Sequence, residues 1–173
     1  MFRFENLDEI TRRYVLLEVE EAIKTSQLYL SQRFTAQGRE RYPSLLREAV
    51  QMGDEASLTT ALQHEKLFAE REPYGAGTRR VPTNAASTFA EGQFNAFYMR
   101  GVCHRAIQAG GQVEVYRAKE VVTAGPASTY QEGQRLDPQQ VLHLLRHSPS
   151  GRDRGAVVPA GFNSGLSIRL VSN

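Results

Sequence analysis

Residues 88–119 read Thr88-Phe89-Ala90-Glu91-Gly92-Gln93-Phe94-Asn95-Ala96-Phe97-Tyr98-Met99-Arg100-Gly101-Val102-Cys103-His104-Arg105-Ala106-Ile107-Gln108-Ala109-Gly110-Gly111-Gln112-Val113-Glu114-Val115-Tyr116-Arg117-Ala118-Lys119. Two periods meet in this stretch. Phe94, Phe97, Tyr98, Gly101 and Arg105 recur at spacings of three and four, which puts them on one helical face. Thr88, with Glu91 three residues later, has the pattern of a capping box. The helix is therefore predicted over 88–109, closed by Gly110-Gly111. From Val113 the period becomes two: Val113, Val115 and Arg117 point one way, Glu114 and Tyr116 the other, as in a strand. Gly101 inside the helix costs roughly 1 kcal/mol relative to Ala, and close approach of another backbone is the return expected for it. One long helix running into one strand lacks the strand–helix alternation of a doubly wound sheet. The fold class predicted is α+β, mostly helical with a few β-strands and extended arms.

Upstream, residues 8–33 read as a long helix capped by Asn6 or Asp8. It carries two apolar stripes, Leu7, Ile10, Tyr14 and Leu17 on one and Val15 or Leu16, Val19, Ala22, Ile23 and Leu30 on the other. One apolar face suffices for a surface helix, so the second stripe implies either central burial or contact with a neighbouring subunit. Thr35-Ala36-Gln37-Gly38 is expected to break that helix. A second helix is expected to begin near Pro43 and end at Gly53, and Asp54 to cap a third over 55–63. The two Pro and two Gly in residues 73–82 mark a loop. Downstream, Gly125-Pro126 opens an irregular stretch, Asp137-Pro138 starts a short helix with Val141, Leu142, Leu144 and Leu145 on its apolar side, and Leu166–Leu170 alternates as a strand. The organisation predicted is a helical subdomain (1–65), a loop (66–87), a helix–strand–helix core (88–147) and an extended C-terminal arm (148–173).

The 173 residues are 40% hydrophobic and 23% charged, enough for a core in one domain. The net charge of +2 gives little support to a general nucleic-acid binder. It conceals an asymmetry: residues 1–72 hold 10 basic and 13 acidic groups, −3, and residues 73–173 hold 11 and 6, +5. Such halves could pair head-to-tail between copies or pack on each other. Eighteen of the 21 basic residues are Arg, which suits bidentate pairs at interfaces and equally reflects codon usage. The lone Cys103 excludes an intrachain disulfide, no stretch approaches the roughly 20 apolar residues of a membrane span, and the first residues lack the apolar core of a signal peptide. A soluble protein of a reducing compartment, without a membrane partner, is expected.

Chemistry-bearing patterns are sparse. His143 and His147 share a helical face as metal ligands would, with Asp153 the nearest third group, but solvated helix residues account for them as well. Cys103 and His104 are adjacent, about 100° apart around a helix, so they do not face each other. Gly75-Ala76-Gly77-Thr78-Arg79-Arg80 lacks the third Gly and the Lys-Ser/Thr ending of a phosphate loop. No catalytic residue, metal or cofactor is expected. Arg100, Arg105, Arg117 and Lys119, interleaved with Phe97, Tyr98 and Tyr116, form the best nucleic-acid pattern; a helix packed on a strand explains it too.

The segments Glu91–Ile107, Val113–Val121 and Asn163–Leu170 resemble blocks of uncharacterised structural proteins of tailed bacteriophages and prophages. The helix from Asp8 and Tyr42-Pro43-Ser44-Leu45-Leu46-Arg47-Glu48-Ala49-Val50 are compatible with that group. The resemblance implies a context and transfers no catalytic residue: a non-enzymatic virion component at the head–tail junction or on the capsid, made in the host cytoplasm. It implies a homo-oligomer, with copies of itself and capsid, portal or tail proteins as partners. The interface residues expected are Tyr14 and Leu17 on the first helix, Arg79 and Arg80 on the loop, and Phe162, Leu166 and Leu170 on the arm. The alternative is a small intracellular nucleic-acid-binding regulator using Arg100, Arg105, Arg117 and Lys119.

Overall fold

A computed structural model describes residues 1–120, 131–147 and 164–171. The chain is mostly helical α+β. Its elements are α1 (Glu9–Lys24), α2 (Ala36–Met52), α3 (Glu55–His64), β1 (Arg71–Tyr74), β2 (Gly77–Arg80), α4 (Ala85–Ala109), β3 (Val113–Arg117), β4 (Arg135–Leu136), α5 (Pro138–His147) and β5 (Leu166–Leu170). β1 and β2 form a two-stranded antiparallel hairpin. β3 is the centre of a three-stranded antiparallel sheet, flanked by β4 and β5.

α4 is the central beam. Its N-terminal half (Phe89, Ala90, Phe94, Phe97) belongs to a cluster built with α1, α2 and α3. Its C-terminal half (Tyr98, Met99, Val102, Cys103, Ala106) belongs to a second cluster with β3, α5 and β5. The predicted aromatic face is thus only part of the burial, because α4 is covered nearly all round. Gly101 is where α1 crosses: a Cβ there would lie 2.4 Å from Val15 Cγ2 and 3.1 Å from the Thr11 carbonyl oxygen. The close approach inferred from the helix-interior glycine is present.

Several boundaries differ from the sequence reading. α1 stops at Lys24 instead of 33. Ser26 takes a left-handed φ of 57°, and the chain turns so that Leu28, Tyr29 and Leu30 pack on the first cluster. α2 begins seven residues before Pro43. Thr35, expected to break a helix, caps this one by accepting a hydrogen bond from Gly38 N at 3.0 Å. Gly38 is required by contact, since a Cβ there would stand 2.3 Å from the Leu67 carbonyl oxygen. Pro43 is inside the helix and removes one internal hydrogen bond. The stretch expected as loop contains the hairpin. Its two-residue turn has a left-handed φ of 56° at Gly75 alone, the sign pattern of a II′ turn. The capping box at Thr88 does not form: α4 starts at Ala85, so Thr88 and Glu91 lie inside it, and Asn84 stands at the N-cap without a side-chain bond.

Other expectations hold. Asp8 caps α1, Asp54 and Ser57 make a reciprocal capping box on α3, and Asp137 accepts from the Gln139 and Gln140 amides ahead of α5. The strand at 166–170 is β5, in register with β3 from Val113↔Leu170 to Arg117↔Leu166. The rest of the expected C-terminal arm, residues 148–163 and 172–173, lies outside the described residues.

The N-terminal segment straps the two clusters together. Phe2 N donates to Glu55 Oε1 at 2.6 Å, Arg3 N to the Ala118 carbonyl at 2.7 Å, and Asn6 N to the Tyr98 hydroxyl at 3.1 Å. The Tyr116 hydroxyl donates to the Arg3 carbonyl at 2.6 Å. Phe4 stacks on Phe2 and packs at a tilt against Phe94 and Tyr98.

Candidate functional site

The most elaborate polar arrangement surrounds Glu18. Its side chain is 4% exposed on the core-facing side of α1. Arg146 of α5 grips it with Nε 3.1 Å from Oε2 and NH2 2.5 Å from Oε1. His104 Nε2, on α4, lies 2.7 Å from Oε1, and Arg100 NH1 lies 3.9 Å from Oε2. Burial by itself would push the Glu18 carboxyl up, but the Arg146 and His104 hydrogen bonds and the two guanidinium charges outweigh it, so the group titrates below the usual carboxylate range. The Tyr14 ring stacks on His104 at 5.5 Å, and its hydroxyl bonds Gln108. Glu18, Arg100, His104 and Arg146 line an open groove of about 550 Å³ with Leu17, Glu21, Thr25 and Gln27.

Chemically this is a joint. The carboxylate is held ionised, the His104 nitrogen facing it is engaged, and the bonds tie α1, α4 and α5 across the groove. Glu18 was not singled out from the sequence. The available signal was an acid among Val15, Val19 and Ala22 on the buried stripe, where an unpaired charge would be costly.

The four residues read as a nucleic-acid pattern each make contacts within their own chain. Arg100 is 4% exposed, lies over the Phe97 ring at 4.5 Å and donates to the Leu145 carbonyl at 2.6 Å. Arg105 donates to Asp8 Oδ2 at 2.7 Å and to Thr11 Oγ1 at 2.8 Å. Arg117 bonds Glu132 at 3.1 Å and the Ser164 carbonyl at 3.3 Å. Lys119 pairs with Glu91 at 2.5 Å. Each cation is spent on an acid or carbonyl distant in sequence, which local pattern could not show.

Of the expected interface residues, Leu17 is 62% exposed on the outer stripe of α1, beside the equally outward Ile10. Tyr14 is half-buried on His104. Leu166 is fully buried in the second cluster and Leu170 packs at its edge, so both serve the chain's own core. Phe162 lies outside the described residues. Arg79 and Arg80 stand on β2. Glu72 receives Arg33 Nε at 2.5 Å and Arg79 Nε at 2.7 Å, which ties the hairpin to the body, and these hydrogen bonds hold its carboxyl below the usual range. Arg79 also lies 4.5 Å over the Tyr74 ring, and Tyr74 is 63% exposed.

The remaining candidates resolve simply. The glycine-containing run 75–80 is the hairpin turn and β2 rather than a loop entering a helix. The His143 and His147 rings lie 4.1 Å apart, with His147 Nδ1 on the His143 carbonyl. Asp153 lies outside the described residues, and among those described no group of three His, Cys, Asp or Glu could hold a metal. Cys103 is buried, which pushes its thiol up and suits a packing role. Among the described residues no helix is long and apolar enough to cross a membrane. No protein-family model, no curated protein and no solved structure matches the chain.

Proposed function

We propose that this chain is a non-enzymatic structural component of a tailed-phage particle, made in the host cytoplasm and assembled as a homo-oligomer among capsid, portal or tail proteins. The observation that carries the reading is the hairpin Arg71–Arg80. Seven of the eight strand residues are exposed, yet the ribbon is fixed to the body by the Arg33–Glu72–Arg79 pairs. A two-stranded ribbon has little stability of its own in water, so a projecting one is explained by something that it meets. Leu17 and Ile10 add exposed apolar area on α1. The resemblance of Glu91–Ile107 and Asn163–Leu170 to phage proteins supplies the context.

The alternative, a nucleic-acid-binding regulator, has less support, because Arg100, Arg105, Arg117 and Lys119 are all engaged within the chain. The test is mass spectrometry of purified particles released from the host that carries the gene, with the mass of the purified chain measured in solution. Peptides of the chain at a stoichiometry of several copies per particle are expected. Their absence from the particle overturns the reading.

A further inference from the structure

The two faces of the hairpin differ in charge. Side chains alternate in face along a strand, and the register opposes Arg71 to Arg80, Glu72 to Arg79, Pro73 to Thr78 and Tyr74 to Gly77. One face therefore carries Glu72, Tyr74, Gly77 and Arg79. Glu72 takes Arg33 of the body as well as Arg79. The Val81 amide donates to the Glu70 carbonyl at 2.9 Å, which extends the ladder by one pair and puts Glu70 on the same side. The two acids of that face are thus matched by two arginines. The other face carries Arg71, Pro73, Thr78 and Arg80, all exposed, and no acid.

The backbone brings Arg71 and Arg80 as near as a ribbon allows. Glu70 and Val81 form a hydrogen-bonded pair, so Arg71 and Arg80 form the non-hydrogen-bonded pair beside it, in which opposed Cα atoms stand only about 4.5 Å apart. Like charges directly opposed destabilise a sheet. Among the described residues no acid relieves them. Arg71 folds onto Thr78, with Nε 2.9 Å from Oγ1 and NH2 3.1 Å from the carbonyl oxygen, both neutral acceptors. Arg80 makes no side-chain hydrogen bond or ion pair among the described residues. A two-stranded ribbon has little stability to spare, so a repulsive pair at its base is explained by an anion that the pair meets.

The spacing selects the anion. A protein partner would have to place two carboxylates side by side, which repeats the same repulsion on its own surface. Duplex DNA already carries one charge per about 1.7 Å of axis, and the counterions released from it drive binding. Its major groove, about 12 Å wide, admits a two-stranded ribbon. A guanidinium matches phosphate oxygens in a bidentate way. Thr78 Oγ1 accepts from Arg71, which leaves its hydroxyl proton to donate to a phosphate oxygen.

We propose that the Arg71–Thr78–Arg80 face of the hairpin binds the phosphate backbone of duplex DNA, while the Glu72 face holds the ribbon to the body. The contact uses none of Arg100, Arg105, Arg117 and Lys119. It goes beyond the reading of the chain as a particle component and does not depend on it.

The test is fluorescence anisotropy of a labelled duplex of about 20 base pairs against the full chain, over a fourfold range of salt from about 30 mM. The natural sequence is compared with Arg71→Gln/Arg80→Gln, with Arg71→Lys/Arg80→Lys, and with Arg13→Gln/Lys24→Gln, which removes two exposed cations of α1 instead. Over that range the affinity of the natural chain is expected to fall about tenfold more than that of the double Gln variant, the effect of two phosphates at a logarithmic slope of about −0.9 each. The double Lys variant is expected to restore the slope, and the α1 variant to keep it. Without DNA, circular dichroism should show the double Gln variant melting at or above the natural chain, because the opposed charges are gone. No binding at the lowest salt, or equal slopes for the natural and double Gln chains, overturns the proposal. An α1 variant that loses as much as the ribbon variant also overturns it, by assigning the binding to overall charge. A double Gln variant that melts below the natural chain does so by assigning the arginines to the ribbon itself. Polyglutamate that displaces the labelled duplex better than unlabelled duplex does so by assigning the face to an acidic protein. A chain that binds DNA through this face but is absent from particles overturns the phage reading and leaves this one standing. A chain present in particles that ignores DNA does the reverse.

Discussion

Gly101 shows how far one residue can be read. Its position inside an amphipathic run implied a crossing backbone, and α1 is that backbone, with Thr11 and Val15 against it. Gly101→Ala would gain helix propensity but force the new methyl into Val15, and overpacking of this kind costs typically about 1–3 kcal/mol. A lower midpoint in urea with unchanged slope is the expected outcome; an unchanged or higher midpoint would show that α1 can retreat. Two buried carboxylates make opposite predictions in pH. Glu18 titrates below the usual range in the folded chain, so its contribution is present above that range and lost as pH falls through the folded value. Glu18→Ala leaves Arg100 buried without its acid, a change worth about 3–5 kcal/mol at neutral pH. Glu55 is the reverse case. Burial raises its carboxyl, the Phe2 amide offsets this only in part, and Oε2 has no hydrogen-bond partner. The folded state then holds the proton more tightly than the unfolded chain, so stability falls as pH rises from the ordinary Glu range through the folded value. Glu55→Gln is expected to raise Tm near about pH 8 and to leave it nearly unchanged near about pH 4, where the acid is already protonated. Equal shifts at both values would refute buried ionisation. None of these pairings could be read from the sequence: Glu18 meets Arg146, and Glu55 meets Phe2, across more than fifty residues.

At the scale of elements, the legible signals were those closed within a few residues. Asp54 with Ser57, Asp137 ahead of Pro138, and the alternation in 113–117 each complete their own hydrogen bonding or pleat locally. The misread boundaries depended on distant contacts. Thr35-Ala36-Gln37-Gly38 has the composition of a turn, but the Leu67 segment lies against Gly38, and that contact favours a helix start with Thr35 as cap. The 71–80 ribbon was hidden by its Pro and Gly content, which marks a tight hairpin as readily as a loop. β5 was visible by alternation, but its anchor was not. Asn95, buried in α4, donates to the Leu166 carbonyl at 2.9 Å and accepts from Ser167 Oγ at 2.6 Å. Asn95→Ala strands two buried polar groups of β5, at about 1–3 kcal/mol for each unsatisfied group. Hydrogen exchange is expected to lose protection in β5 and in its partner β3 before the α1–α2–α3 helices respond. Uniform loss over the whole chain would mean that β5 does not open on its own.

For the whole molecule, the question is whether the helical front half and the sheet-bearing back half unfold separately. The charge asymmetry, −3 against +5, could be taken as two bodies. Much of it is spent between them in long-range pairs: Asp8 with Arg105, Glu18 with Arg146, and Glu5 with Arg169. α4 runs through both apolar clusters without a break, so neither cluster can lose its packing while the other keeps a full-length α4. The N-terminal strap adds a second link, since Phe4 packs against both clusters and against the Phe2–Tyr116–Ala118 patch. One cooperative transition is therefore expected, with far-ultraviolet dichroism and tyrosine emission coinciding in urea. Phe4→Ala should lower its midpoint by about 3–5 kcal/mol of stability, the range for emptying a buried aromatic site, or by less to the extent that Phe4 is only half-buried. It should not split the transition, because α4 still couples the halves. Two separated transitions in the natural chain would show that α4 melts piecewise. A split confined to Phe4→Ala would make the strap, rather than the central helix, the element that holds the two clusters in one unit.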